Sequence, residues 1–339
     1  MKTRRIKTIL LFLSTMPFIG IYAQSIYYVS PHASSGGDGG PATPFHIIHE
    51  AVEKARKDKN CTTIYLREGE YFLDTPLVLT SADGNDSKEL IIRNYPGEKA
   101  IISSGITLDL KWEKYKNGIM RAAVKGNPVM DMLIVNGDLR SMARYPDYDK
   151  TAVRFNGTSA LATAPERVKK WKNPEGGYLH AMHSHDWGDF HYRITGKNEK
   201  GELQLEGGWQ NNRPMGIHPE NRMVENIFEE LDAPGEWYYD KQEGWLYYYP
   251  LSDENINELV FETPQLKNLI EIAGTSSHPV KNITIEGIEL TQTIRTFMEH
   301  YEPLLRSDWT IYRGGAVIFR GTEKCTLRDC YIHHVGGNG

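Results

Sequence analysis

The sequence predicts an all-β chain built around a parallel β-helix, with one amphipathic helix and an inserted antiparallel β domain. Three observations predict this fold class. Short β-branched runs such as "ELIIRNY" and "AIISSG" end in turn residues after a few positions. One pattern of such runs recurs 42 residues downstream. The middle of the chain changes to longer alternating segments, which are typical of antiparallel strands.

The only convincing amphipathic helix of the chain follows a glycine-rich opening. Phe45, Ile48, Ala51, Val52 and Ala55 fall on one face of a helix over residues 45–56. The preceding Thr-Pro pair fits a helix start. Strand-like runs then follow, "TTIYLREGEYFL", "PLVLT", "ELIIRNY" and "AIISSG". We expect these runs to be strands that turn every few residues around a shared core.

The repeat joins residues 283–290 to residues 325–332. The first, third, sixth and eighth positions are apolar in both copies. The spacing predicts that Cys325 stacks on Ile283 and Cys330 on Ile288, and a further strand is expected in "GAVIFRG" between the copies. The two thiols are then small core residues, although one disulfide between them is the alternative.

The alternating segments occupy residues 121–262 and contain Asn-Gly and Glu-Gly turns. Examples are "MLIVNGDLRSMARYP" and "GEWYYDKQEGWLYYYP". They predict an antiparallel β domain inserted between two parallel parts. The predicted organisation is therefore a leader at 1–23, a cap helix and first strands at 24–120, the insertion at 121–262, and further parallel strands at 263–339.

The first residues predict export. A basic start precedes an apolar stretch of 13 residues, Ile9 to Ile21, and the cleavage site is expected near Ala23. That stretch is shorter than the roughly 20 residues of a membrane-spanning helix, so no membrane span is expected. Loss of the leader removes four positive charges and changes the formal net charge from −5 to −9. Such a chain is a poor nucleic-acid partner, because phosphate binding needs clustered Lys and Arg.

Several blocks resemble a known family. The blocks "FHIIHEAVEKAR", "IYLREGEYFL", "NGDLRSMARYP", "LDAPGEWYYD", "SDWTIYRGGAV" and "CTLRDCYIHHVGGNG" resemble exported bacterial right-handed parallel β-helix glycosidases, glycoside hydrolase family 141 above all, with family 120 related in architecture. The resemblance implies a helix-capped right-handed solenoid with a β-sandwich-like insertion. It also implies a fucosidase or xylan-degrading enzyme acting on plant or host polysaccharide. In those relatives the catalytic carboxylates lie in later turns of the solenoid, so the chain looks truncated after Gly339.

The long loop "TIRTFMEHYEPLLRSDWTIYRGG" interrupts the repeat and is the expected lining of a sugar cleft. Sugar contacts are predicted for Tyr301, Trp309 and Arg313, although the two aromatic rings would serve equally well to pack the loop onto the scaffold. His333 is a further binding candidate near the end of the chain. Glycoside hydrolysis needs two facing carboxyl groups. The weak catalytic candidates are Glu302, Asp308 and Asp329.

A metal site is considered at "HAMHSHDWGDFHYR" and not predicted. On one continuous strand His183 and His185 would share a face with Asp189 and His191, but ligands spread along a line do not close a tetrahedral zinc site. No cofactor is expected. Two other functions remain open: a polysaccharide lyase, which is disfavoured by the acidic charge, and a β-helix that binds glycans without catalysis.

Overall fold

The computed structural model of the chain describes residues 24–212, 216–304 and 309–339. The predicted leader at 1–23 and Asp308 lie outside the described residues. The regular secondary structure of the described part is mostly β-strand, in a mixture of parallel and antiparallel sheets, which confirms the all-β prediction. In these three ranges no helix is long and apolar enough to cross a membrane.

Three parallel sheets are formed by strands from the two ends of the described chain. The first contains Gln24–Val29, Cys61–Leu66, Leu90–Asn94, Ile283–Glu286 and Thr326–Arg328 in spatial order. The second contains Gly69–Phe72, Ala100–Ser103, Glu289–Thr293 and Tyr331–Val335. The third contains Leu77–Leu79, Ile270–Ala273 and Val317–Arg320. A short parallel pair joins Val280–Lys281 to Thr322–Glu323.

The predicted 42-residue repeat is confirmed by the strand register. Thr284 pairs with Thr326 in the first parallel sheet, and Glu289 pairs with Tyr331 in the second, so both pairs are 42 residues apart. The additional strand expected between the copies is Val317–Arg320. The repeat therefore reflects direct stacking of equivalent strands.

One apolar core lies between the three parallel sheets. It is built from residues before position 103 and after position 268, with Ile64, Ile92, Ile102, Ile272 and Ile285 fully buried. Each such side chain contributes roughly 1.5–3 kcal/mol by leaving water. The free thiols of Cys325 and Cys330 pack against this core while staying partly exposed. The disulfide alternative is therefore not realised.

The amphipathic helix is shorter than predicted. It spans Ile48–Lys57 and buries Ile48, Ala51, Val52 and Ala55. Phe45 is buried in the same core but is extended, because its backbone exchanges hydrogen bonds with Tyr28 and Ser30 along the first strand. Because of this backbone pairing, the helix begins three residues later than predicted.

The antiparallel sheets come from residues 105–264 and from one loop. A five-stranded sheet contains Arg144–Tyr145, Ile217–Glu225, Tyr178–His183, Asp189–Lys197 and Leu203–Gly207. A four-stranded sheet contains Trp237–Asp240, Trp245–Tyr248, Met120–Ala123 and Glu113–Lys114. A second four-stranded sheet contains Asp138–Arg140, Leu133–Val135, Phe261–Pro264 and Gly105–Thr107. The loop strands are Glu302–Pro303 and Thr310–Ile311.

Four short helices connect these strands, at Ala160–Thr163, Pro165–Val168, Phe228–Glu230 and Ile256–Glu258. The antiparallel region has apolar clusters of its own, centred on Trp237 and Phe261, on Trp171 and Val224, and on Leu231 and Tyr247. Its packing is therefore distinct from that of the core between the parallel sheets.

Candidate functional site

The sequence-predicted sugar loop is a short hairpin that packs on the antiparallel region. Arg313 forms a 2.5 Å ion pair with Glu302, and both side chains are largely exposed. The ring of Tyr301 packs against Tyr312 at 5.7 Å between centroids. Asp308 belongs to the part of this loop outside the described residues. The predicted sugar contacts at this hairpin stay a prediction.

Trp309 fastens the hairpin to two other segments. A Cβ atom placed on Gly188 would come within 2.1 Å of the Trp309 ring, so the ring lies directly on that glycine. Asn212 Nδ2 donates to the Trp309 carbonyl at 3.2 Å, and Asn211 forms a backbone bridge with the same residue. This position fits the alternative in which Trp309 packs the loop onto the scaffold. Its predicted contact with a sugar would need the opposite face of the ring.

His333 and Asp329 lie near the last parallel strands. His333 Nε2 is 2.7 Å from Glu289 Oε1, and the His333 ring stacks on Tyr331 at 4.7 Å. Asp329 has φ of 54°, which places it at a turn, and it lines a shallow concavity of about 320 Å³ with Lys99 and Glu289. The structure therefore places these two candidates apart from the loop around Trp309.

The assumption of one strand through "HAMHSHDWGDFHYR" is wrong. The strand Tyr178–His183 ends at the first of the two candidate ligands, His185 lies in a turn, and Asp189–Lys197 returns antiparallel. The His183 ring stacks on Trp187 at 5.5 Å. A turn forms here because Asp186 and Gly188 take positive φ angles. Within the described ranges no group of three or more His, Cys, Asp and Glu side chains is arranged to hold a metal ion.

A cleft of about 580 Å³ lies where the antiparallel region meets the second parallel sheet. We call it the Glu236 cleft and define it by its ionisable lining residues, which are Asp131, Arg140, Arg144, Asp147, Glu225, Glu236, Arg295 and His334. Tyr148 adds an aromatic side chain that is 54% exposed. Carboxylates, guanidinium groups and an exposed aromatic ring together are suited to a polar, hydroxyl-rich ligand.

Glu236 is a carboxyl group of this cleft whose pKa is raised by its surroundings. It follows a Pro-Gly turn and is only 3% exposed. Oε2 accepts long hydrogen bonds from the backbone of Asp232 and Ala233, at 3.4 and 3.3 Å, while Oε1 is buried with no partner in the described part of the chain. Burial, opposed by the Ala233 hydrogen bond and reinforced by the charges of Asp147 and Asp232, raises the pKa of Glu236 to about 8. At neutral pH this side chain is therefore a proton donor.

Arg144 gives the cleft a buried positive charge. Its guanidinium donates to the backbone carbonyls of Pro146, Phe155, Asn156 and Gly157 at 2.7–3.3 Å. Burial lowers the pKa of Arg144, and the nearby carboxylates of Glu225 and Glu236 partly offset that effect. The loop carbonyls hold the group in place, so its field acts on the carboxyl groups of the cleft.

Arg295 forms the partition at the back of the cleft. Its guanidinium donates to Asp131 Oδ1 at 3.0 and 3.1 Å and makes a close ion pair with Glu225. Burial opposes the charge of Arg295, yet the two carboxylates raise the pKa of Arg295 well above its usual range. Burial likewise opposes the charge of Glu225, but Arg295 and His180 lower its pKa far below the usual range.

A larger cleft of about 990 Å³ lies on the other side of this partition. It shares Asp131 and Arg295 with the Glu236 cleft and is lined elsewhere by Tyr115, Tyr178, Phe228, Tyr238 and Tyr247. No sequence pattern singles out Glu236, Glu225 or Arg295. The nearest signal in the sequence is the Pro-Gly turn before Glu236, in the block "LDAPGEWYYD" that carries the family resemblance.

Comparison with known proteins gave structural matches only. No protein-family model matches the chain, and no curated protein matches it. A solved glycoside hydrolase superposes with a TM-score of 0.73 and 20% identity, over 92% of this chain and 62% of that chain. The complex of XylC with xylose matches with a TM-score of 0.41 and 13% identity, over 91% of this chain and 40% of that one, which is too low to carry an argument. The chain thus has the fold of a glycoside hydrolase and spans less than two thirds of the length of that neighbour.

Proposed function

We propose that the chain is the N-terminal part of an exported glycoside hydrolase that binds its glycan in the Glu236 cleft. The single observation that carries this proposal is the Glu236 carboxyl group, which keeps its proton up to a pH of about 8 on the wall of a polar cleft. A general acid for glycosidic oxygen must be protonated at working pH, and burial is the usual means of achieving this. The fold shared with a solved glycoside hydrolase supports the reaction class.

Asp147 is a candidate partner for Glu236. It lines the same cleft, is exposed, and contributes to the raised pKa of Glu236. Two carboxyl groups with different environments are the arrangement that glycoside hydrolysis uses. The alternative is that the second carboxylate follows Gly339, as the resemblance to family 141 implies. Glu302, Asp308 and Asp329 remain weaker catalytic proposals.

The finer architecture belongs to the same proposal. We propose that the three parallel sheets are the faces of a right-handed β-helix capped by the helix Ile48–Lys57. Residues before Gly105 and after Pro264 would then form the β-helix, and the antiparallel strands between them the β-sandwich-like insertion. The insertion would therefore begin earlier than the predicted boundary at 121. The separate apolar clusters of residues 119–261 support this division. The substrate class proposed is a fucosylated or xylan-type polysaccharide, and the leader at 1–23 would direct export.

The test compares the 339-residue chain with the longer reading frame on fucosylated and xylan-type oligosaccharides. Glu236→Gln removes the titratable proton, while Glu243→Gln on an exposed turn is the matched control. We expect glycan binding by the 339-residue chain, and a roughly 10²–10⁴-fold lower kcat for Glu236→Gln in whichever form turns over substrate. The activity of the unsubstituted protein should fall as pH rises through about 8. Unchanged kcat in Glu236→Gln, or products with an unsaturated sugar, would overturn the proposal.

A further inference from the structure

Two histidines lie side by side between two carboxylates behind the Glu236 cleft. His180 and His191 are directly opposite in the hairpin of the five-stranded antiparallel sheet, and their Nδ1 atoms are 2.7 Å apart. The outer nitrogens face carboxylates: His180 Nε2 is 3.1 Å from Glu225 Oε1, and His191 Nε2 is 3.4 Å from Asp189 Oδ2. These four side chains form a continuous row of polar contacts from the half-exposed Asp189 to Glu225 on the cleft wall.

The number of protons that these four side chains need determines their total charge. An ionised carboxylate only accepts hydrogen bonds, so each outer contact needs a proton on the imidazole nitrogen. The short contact between the two Nδ1 atoms needs a third proton, because two facing lone pairs would repel. Two neutral imidazoles supply only two protons. The three contacts therefore require one imidazolium ion in the pair.

The surroundings decide which ring carries the extra proton. Burial lowers the pKa of His180, and the neighbouring Glu225 only partly offsets this effect. The hydrogen bond from His191 is the main cause that lowers the pKa of Asp189, so this carboxylate is ionised beside His191. A cationic His191 donates from both nitrogens, and a neutral His180 accepts at Nδ1 and donates from Nε2. Every contact in the row is then satisfied.

The other charges around the pair are compatible with one added positive charge. Glu225 is shared between His180 and Arg295, and Arg295 is also paired with Asp131. The remaining walls are the rings of Tyr178, Phe155 and Phe297, at 5.0–6.4 Å from the imidazoles. Arg144 is a further cation near Glu225. With His191 charged, three cations face three carboxylates, and without it two cations face three.

We propose that His191 is a cationic positioning residue which, through neutral His180, fixes the ionised Glu225 on the wall of the Glu236 cleft as an acceptor for a sugar hydroxyl. This assignment of a role rests on the proposed glycan function of the cleft. Loss of one proton from His191 leaves two protons for three contacts, so one contact breaks. Where the broken contact is that of His180, Glu225 is held by Arg295 alone. Affinity for oligosaccharide should therefore be lower when His191 has lost this proton.

Imidazole ¹H–¹⁵N correlation spectra of the unsubstituted protein test the protonation state without any variant. At neutral pH we expect both nitrogens of His191 to be protonated, and His180 to show a protonated Nε2 with a bare Nδ1. A bare nitrogen on His191 at neutral pH, or a doubly protonated His180, would overturn the proposal. Because this readout needs no ligand, a failure of the glycan proposal alone would leave it unaffected.

Binding measurements with oligosaccharide test the positioning role. His191→Gln retains an amide donor for His180 but no titratable charge, His191→Ala removes both, and His278→Gln at an exposed turn is the control. We expect KM or Kd to rise about tenfold in His191→Ala and less in His191→Gln, with kcat little changed. The fall in affinity at high pH should be absent from both variants. If either variant keeps the unsubstituted pH profile, His191 has only a structural role and the inference is wrong.

Discussion

The parallel sheets and the antiparallel region use buried charge in different ways. Around the parallel sheets, Lys88 donates to the carbonyls of Ala55, Arg56 and Ala82, and Asp83 accepts from the backbone of Thr80 and from Arg56. These contacts complete the ends of a helix and a turn. Where the antiparallel region meets the second parallel sheet, Arg295 and Glu225 join distant segments and line a cleft.

This difference separates stability from function. Charges that satisfy nearby backbone groups are explained by the local structure they complete. Burial of the ionisable groups Glu236, Glu225 and Arg295 carries a desolvation cost that no helix end or turn requires, and these groups surround open volume. We therefore expect a substrate to bind in the cleft beside the antiparallel region.

The largest expected effect is a loss of stability when the ion-pair network of Arg295 is broken. Arg295→Met leaves the buried Glu225 and the half-buried Asp131 without their cation, and we expect a loss of about 3–5 kcal/mol in the free energy of unfolding. The control is Arg320→Met in the third parallel sheet, where an exposed 3.2 Å pair with Glu271 should contribute about 0–1 kcal/mol. Urea unfolding followed by circular dichroism measures both. Equal effects would mean that the two regions do not differ as described.

The second prediction concerns the core between the parallel sheets. Ile285→Ala at a fully buried position should cost about 2–5 kcal/mol, because a cavity remains in a closely packed layer. Ile332→Ala at a partly exposed position against the same core should cost about 1 kcal/mol or less. Thermal unfolding at one pH, with calorimetric enthalpies, compares the two. Glycan affinity of the folded Ile285→Ala protein should stay unchanged, and a loss of affinity would contradict the separation of roles.

The third prediction is a pH dependence that comes from Glu236. The pKa of this carboxyl is raised from 4.5 to about 8 on folding, so the folded chain holds a proton that the unfolded chain releases. Stability should therefore fall as pH rises from 4.5 to 8, by roughly 2–3 kcal/mol between pH 5 and pH 7. Glu236→Gln should remove this slope and Glu243→Gln should keep it. Urea unfolding across that range measures the effect, and an unchanged slope in Glu236→Gln would show that the carboxyl is ionised when folded.

The same contrast explains what the sequence could predict. The register between Thr284 and Thr326 was readable because stacked strands repeat one apolar pattern along the chain. The network of Arg295 was not readable, because Glu225 lies 70 residues away and Asp131 lies 164 residues away, with no repeat relating them. The hairpin at His183 was misread as one strand because alternation continues through a turn that only Asp186 and Gly188 signal.

Hydrogen exchange with and without oligosaccharide tests the central claim most directly. The account predicts that fucosylated or xylan-type oligosaccharide slows exchange in residues 131–148 and 225–237, which line the Glu236 cleft, and leaves the strands Leu90–Asn94 and Ile283–Glu286 unchanged. Protection confined to the hairpin around Trp309, or to the parallel sheets, would contradict the account. Absence of protection with every oligosaccharide would contradict it as well.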